Sequence, residues 1–91
     1  MRTEKDIENY LKKKSPGLCL KFMSPGTVGV PDRIIVMPTG IFFVEVKAPG
    51  KKPRANQIAM HKKISKAGQP VWVVDSYESV DQALKDMENG I

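Results

Sequence analysis

The chain has 91 residues, 41% of them hydrophobic and 27% charged, and 15 Lys and Arg against 10 Asp and Glu give a formal net charge of +5. This suits one small globular domain, residues 1–91, with a single core; nothing approaches the roughly 18 consecutive apolar residues of a membrane span, and the charged start MRTEKDIENYL is no signal peptide. One Cys, Cys19, and one His, His61, exclude a disulfide framework and make a Cys/His zinc site implausible, which predicts a reducing, cytoplasmic setting.

The basic excess favours an anionic partner such as nucleic acid. Its distribution is uneven: Lys12-Lys13-Lys14, Lys47, Lys51-Lys52, Arg54 and Lys62-Lys63 carry the positive charge, whereas Asp75 to Glu88 is an acidic stretch.

In chain order, Thr3 followed by Asp6 reads as a variant capping box. It opens a helix with Ile7, Tyr10 and Leu11 on one stripe, ending near Ser15-Pro16-Gly17. LCLKFM, Leu18 to Met23, is a first strand, and Ser24-Pro25-Gly26 starts a loop running to Pro31. RIIVM, Arg33 to Met37, and IFFVEVK, Ile41 to Lys47, are two further strands joined as a hairpin across Pro38-Thr39-Gly40. After Pro49, Gly50 and Pro53, Ile58, His61 and Ile64 recur at helical spacing from Arg54 to about Lys66, with a C-cap signal at Gly68. VWVV, Val71 to Val74, is a short apolar strand. Ser76 caps a last helix with Val80, Ala83, Leu84 and Met87 on its apolar face. The order α-β-β-β-α-β-α predicts a small mixed α/β sheet flanked by helices, its third and fourth strands parallel through a right-handed crossover.

One feature resists a purely structural account. On the third strand Phe43, Glu45 and Lys47 share a face, because alternate residues point the same way, so charge replaces the apolar pattern at the strand's end. Whether Asp32 joins them depends on the hairpin register. A two-residue turn at Thr39-Gly40 sets Ile34 opposite Glu45 and Asp32 opposite Lys47, all on one face, whereas a three-residue turn sends Asp32 away. Two adjacent carboxylates repel each other, and a divalent cation such as Mg²⁺ relieves that repulsion. A cation so held activates water and polarises a phosphodiester oxygen, while a neighbouring lysine stabilises charge in the transition state. The bland alternative is a pair of exposed charges on an edge strand.

Pro31-Asp32 and Glu45-Val46-Lys47 in this element order resemble the PD-(D/E)xK nuclease superfamily. GVPDRIIV, FVEVKAPGK and the later Gln57 resemble, more narrowly, the virus-type replication-repair nuclease (VRR-NUC) domain, from Thr3 to about Val80. The resemblance implies a restriction-endonuclease-like αβββαβ core in which Asp32, Glu45 and the Val46 carbonyl ligate Mg²⁺ or Mn²⁺. It also implies that Lys47 is the catalytic lysine, that Gln57 points back into the cleft, and that a first-helix glutamate reaches the metal. Glu4 and Glu8 compete for that last place; the apolar stripe is centred nearer Glu4, which the family pattern also favours.

Lys51, Lys52 and Arg54 are candidates for DNA phosphate contacts, and Gly26 and Gly29 for bending the loop before Asp32 close to substrate. His61 reads as a structural or surface residue of its helix and Trp72 as core. The resemblance implies a metal-dependent endonuclease for branched DNA, intracellular and of phage or mobile-element association, acting as a homodimer that supplies two active sites. The stripe of the last helix, or part of the first, could make the dimer interface, although both stripes are equally needed for an intramolecular core. The competing readings are a non-catalytic basic DNA-binding module and a metal-dependent RNase.

Overall fold

The computed structural model describes residues 1–90 and contains seven elements: α1 (Glu4–Lys14), β1 (Leu18–Lys21), β2 (Arg33–Met37), β3 (Gly40–Val46), α2 (Ala55–Lys66), β4 (Val71–Val74) and α3 (Tyr77–Glu88). The strands form one sheet in the order β1-β2-β3-β4. The first three are antiparallel, and β4 lies parallel to β3 through the α2 crossover.

Local chemistry explains the helix starts. Thr3 accepts the Asp6 N–H and Asp6 accepts the Thr3 N–H, a reciprocal box at the head of α1. Ser76 accepts the Ser79 N–H at the head of α3. The start of α2 differs, because Arg54 has no side-chain acceptor to offer. Only the return half of a capping box exists there, with Gln57 Oε1 accepting the Arg54 N–H at 2.8 Å.

The hairpin turn falls one residue earlier than the sequence suggested. Met37 pairs with Gly40, leaving Pro38 and Thr39 as the two turn residues. Pro at the second position of a turn and Gly at the fourth suit this geometry, and Gly40 takes φ +147°, which favours glycine. The register consequently shifts by two, and Ile34 faces Phe43. A shift of two preserves the side of the sheet each residue occupies, so the expected shared face survives.

The sheet has two unlike faces. Ile35, Met37, Val44, Val46 and Val74 point to one side, where they pack with Ile7 and Leu11 of α1 and with Val80, Ala83, Leu84 and Met87 of α3 to form the core. Trp72 packs against this core, edge-on to Phe42 with ring centroids 5.6 Å apart. The helices are also joined to each other: Tyr10 stacks on Tyr77 at 3.9 Å and its hydroxyl donates to Asp81. The opposite side of the sheet carries Leu18, Leu20, Ile34, Val36, Ile41, Phe43, Val71 and Val73, as the registers require. Among the described residues α2 is the helix that lies over it, beside Val71 and Val73, and Leu18, Leu20, Ile41 and Val73 remain exposed. No helix among the described residues is long and apolar enough to cross a membrane.

Candidate active site

Asp32, Glu45, Lys47 and Gln57 come together at the α2 side of the sheet, where β3 ends. Continuing the register one step past the last β2–β3 pair, Arg33 with Val44, sets Asp32 opposite Glu45, where the sequence had set it opposite Lys47. Asp32 Oδ2 accepts the Val46 N–H at 2.8 Å, and the Asp32 carbonyl accepts the Phe22 N–H. Its position is therefore fixed from both neighbouring strands.

A second step past the ladder brings Val46 level with Pro31, and proline has no N–H. In an antiparallel ladder the N–H and C=O of one residue turn to the same neighbour. The Val46 carbonyl therefore faces a residue that cannot donate to it, on the side where Asp32 lies. Pro31 is fully buried. The proline before the aspartate thus ends the ladder and leaves the Val46 carbonyl without a backbone donor from that strand.

Glu45 is 1% exposed, an uncommon state for a carboxylate. Gln57 Nε2 donates to its Oε2 at 3.3 Å, and Lys47 Nζ is 3.4 Å from the same oxygen. Burial pushes the Glu45 pKa up, the adjacent Asp32 carboxylate pushes it further, and Lys47 only partly opposes them, leaving it at about 7. In a metal-free site two neighbouring carboxylates cannot both ionise cheaply.

Gln57 is buried and does two jobs with one amide: its oxygen caps the α2 N-terminus while its nitrogen holds Glu45. Gly29, at φ +85°, lies so close to this turn that a Cβ there would stand 2.4 Å from the Asn56 carbonyl oxygen. Its role is close packing against α2, whereas an added Cβ at Gly26 would meet open space.

His61, expected as a structural or surface residue of its helix, also reaches the cluster. Its Nε2 lies 3.3 Å from Glu45 Oε1, and burial holds its pKa below the usual value, with Asp32 raising and Lys47 lowering it. The available signal was the four-residue spacing from Gln57, which puts both on one helix face.

Other expected residues are not brought to the cluster. Glu4 stands exposed in the first turn of α1, with no hydrogen bond or ion pair to the cluster among the described residues. Glu8 faces the sheet, but on its other side, bonded to Arg33 at 3.0 Å. Burial raises the Glu8 pKa, yet Arg33 and Lys5 together bring it below the ordinary carboxylate value. Lys51, Lys52 and Arg54 are exposed between β3 and α2, free to meet a ligand.

No three His, Cys, Asp or Glu side chains among the described residues form a ready-made metal cage. Two carboxylates and a backbone carbonyl nevertheless fit Mg²⁺, which typically takes one or two carboxylates and completes its octahedron with water and phosphate oxygens. Mn²⁺ accepts the same hard oxygen donors. Burial first and the Asp32 carboxylate second raise the Glu45 pKa, and a cation bound between the two acids would offset both.

An αβββαβ core with these groups at the end of its central hairpin is the nuclease-like α/β fold of the PD-(D/E)xK class. The solved structure of a VRR_NUC domain matches it with a TM-score of 0.82 and 32% sequence identity, covering 92% of this chain and 97% of that one. A protein of Acyrthosiphon pisum secondary endosymbiont phage 1, described as "Putative nuclease p44", is 44% identical over 79 residues, covering 82% of this chain and 85% of that protein. No family model matches. The chain belongs to the VRR-NUC family of nuclease domains.

Proposed function

We propose that this domain is a divalent-metal-dependent DNA endonuclease that acts on branched DNA such as four-way junctions or flaps. The observation that carries the reading is the buried Glu45 carboxylate set beside Asp32 and held by Gln57 and Lys47. A structural ion pair would not need a second acid beside it, and a vestigial binding module would not need to keep so costly a group buried.

Asp32, Glu45 and the Val46 carbonyl would hold Mg²⁺ or Mn²⁺, which when bound lowers the pKa of water and polarises the phosphodiester oxygen. Water adds to phosphorus and gives up a proton to solvent, the P–O ester bond breaks, and the leaving oxygen takes a proton from solvent, giving a phosphate monoester and an alcohol. Lys47, on the same strand face as Glu45, neutralises charge growing on the phosphoryl oxygens. Gln57 keeps the Glu45 carboxylate oriented. Glu4, exposed at the start of α1, would act only through water or after DNA has bound, so its loss should matter less than loss of Asp32. Lys51, Lys52 and Arg54 would contact phosphates flanking the cut, positioning the backbone without reading bases. A domain that engages DNA through such backbone contacts would select it by shape.

Cutting both strands of a junction calls for two active sites, which a C₂ homodimer supplies. The helix stripes expected to form the interface are used up inside the chain: Ile7, Leu11, Val80 and Met87 are completely buried in the core. The surface that supports dimerisation is instead the open sheet face, with Leu18, Leu20 and Ile41 exposed. Contiguous apolar surface of this kind marks interaction sites.

The test is incubation of labelled duplex, single-stranded, flap and four-way-junction DNA, and of matching RNA, with Mg²⁺, Mn²⁺ or EDTA. Cutting of branched DNA with either metal and none in EDTA is expected. Binding without cutting under every metal would leave the basic-module reading standing, and preferential cutting of RNA would replace the substrate.

A further inference from the structure

The contact between His61 and Glu45 has features that packing alone leaves unexplained. His61 stands one helical turn beyond Gln57 on α2, and the two side chains divide the Glu45 carboxylate between them. Gln57 Nε2 takes Oε2 at 3.3 Å, and His61 Nε2 faces Oε1 at 3.3 Å. Both Oε1 and Nε2 are buried, and neither has an aligned hydrogen-bond partner.

Buried polar atoms are rarely left so, and here two of them are left facing each other. Bonds within active sites are often poorly aligned before substrate or metal binds and tighten afterwards. The remainder of the imidazole lines an apolar recess of about 520 Å³ between α2 and β4, with Ile58, Val71 and Val73.

Resting on the nuclease reading above, we propose that His61 is a positioning residue of the active site. Its Nε2–H holds Oε1 of Glu45 so that the carboxylate is presented to the divalent cation in one orientation. Gln57 and His61, four residues apart on one helix face, thus act as a two-point clamp on a buried acid, and α2 is the element that aims it. No part of the Asp32, Glu45-Val46-Lys47 and Gln57 pattern assigns this role.

The test compares wild type with His61→Leu, which fills similar space without a donor, and His61→Gln, which restores one. Three readings are taken: Mn²⁺ affinity by electron paramagnetic resonance, kcat and KM on the best DNA substrate, and thermal unfolding. Outer-shell partners of metal ligands typically contribute 10–100-fold in affinity or activity. His61→Leu should therefore lose roughly 10-fold or more in Mn²⁺ affinity and kcat, with little change in KM or melting temperature, and His61→Gln should recover much of it.

The chain has one histidine, so its imidazole ¹⁵N signals are assigned without ambiguity. They should move when Mg²⁺ is added and in Glu45→Gln. Wild-type cutting unchanged in His61→Leu, with imidazole signals indifferent to Mg²⁺, would overturn the inference and leave the nuclease standing. Signals and Mn²⁺ affinity that respond as expected in a protein cutting no nucleic acid would uphold the clamp and overturn the nuclease. Loss in both variants matched by a fall in melting temperature would reduce His61 to packing.

Discussion

The two faces of one sheet obey different rules. On the α1 and α3 side, Ile35, Val44, Val46 and Val74 meet Ile7, Leu11, Val80 and Met87 in an apolar core, and the buried Arg33 at its margin is paired with Glu8 at 3.0 Å. On the α2 side, apolar residues give way to Asp32, Glu45 and Lys47, and one of those carboxylates is buried almost completely. The first face is what stability alone would build, since each buried aliphatic side chain contributes about 1.5–3 kcal/mol. The second sacrifices stability for a charged group held where water cannot reach it. Where a small domain accepts such a loss, function is the natural explanation.

The comparison breaks most visibly if substitutions on the two faces have the same consequences. Asp32→Asn or Lys47→Ala should lower metal-dependent cleavage by about 10²–10³-fold or more, while costing far less stability than a core truncation, as single-turnover assays and calorimetry would show. Leu11→Ala, on the other face, should do the opposite. It should cost about 2–5 kcal/mol in denaturant unfolding, with cleavage per folded molecule retained. Between them falls Gly29→Ala, whose added methyl must push the first turn of α2, and with it Gln57, away from Glu45. Cleavage should fall roughly 10-fold or more while stability drops by about 1–3 kcal/mol, the range for backbone strain.

Glu45 also makes a prediction about pH. Folded, it holds its proton to about pH 7, whereas unfolded it releases it near 4.5. Between those values the folded state binds more protons, so metal-free stability falls as pH rises, by an amount on the order of a few kcal/mol. Melts in EDTA at pH 5 and pH 8 should show the fall in wild type and much less of it in Glu45→Gln. Smallest of all should be the effect of Leu20→Lys on stability, within about 0.5 kcal/mol for an exposed position. Its consequence should appear in light scattering, as loss of the dimer.

Much of this was legible in the sequence, for physical reasons. β2 keeps the limits Arg33 to Met37 because β-branched residues bounded by Asp32 and Pro38 leave no other span for it. Asp32, Glu45 and Lys47 share a face under either turn position, because parity survives a shift of two. Three features were harder. The turn residues were misplaced because Thr-Gly and Pro-Thr both make reasonable turn centres. The choice between Glu4 and Glu8 rested on an angular argument too coarse to foresee Arg33, whose side chain draws Glu8 to the sheet. His61 looked like an ordinary helix residue, since nothing in a period of 3.6 says that the helix will lie over an acid. The helix stripes suit a core and a dimer interface equally in the sequence, and the core takes them; the exposed side of β1 shows only once its partner strands are known.

The most direct test of the account is Glu45→Gln, measured twice on the same preparation. The melting temperature of the metal-free protein at pH 8 should rise, because a buried charge beside a second carboxylate is removed. Mg²⁺-dependent cleavage should fall by about 10²-fold or more. A variant that melts lower than wild type and still cuts would contradict the claim that this face of the sheet gives up stability in order to hold a metal.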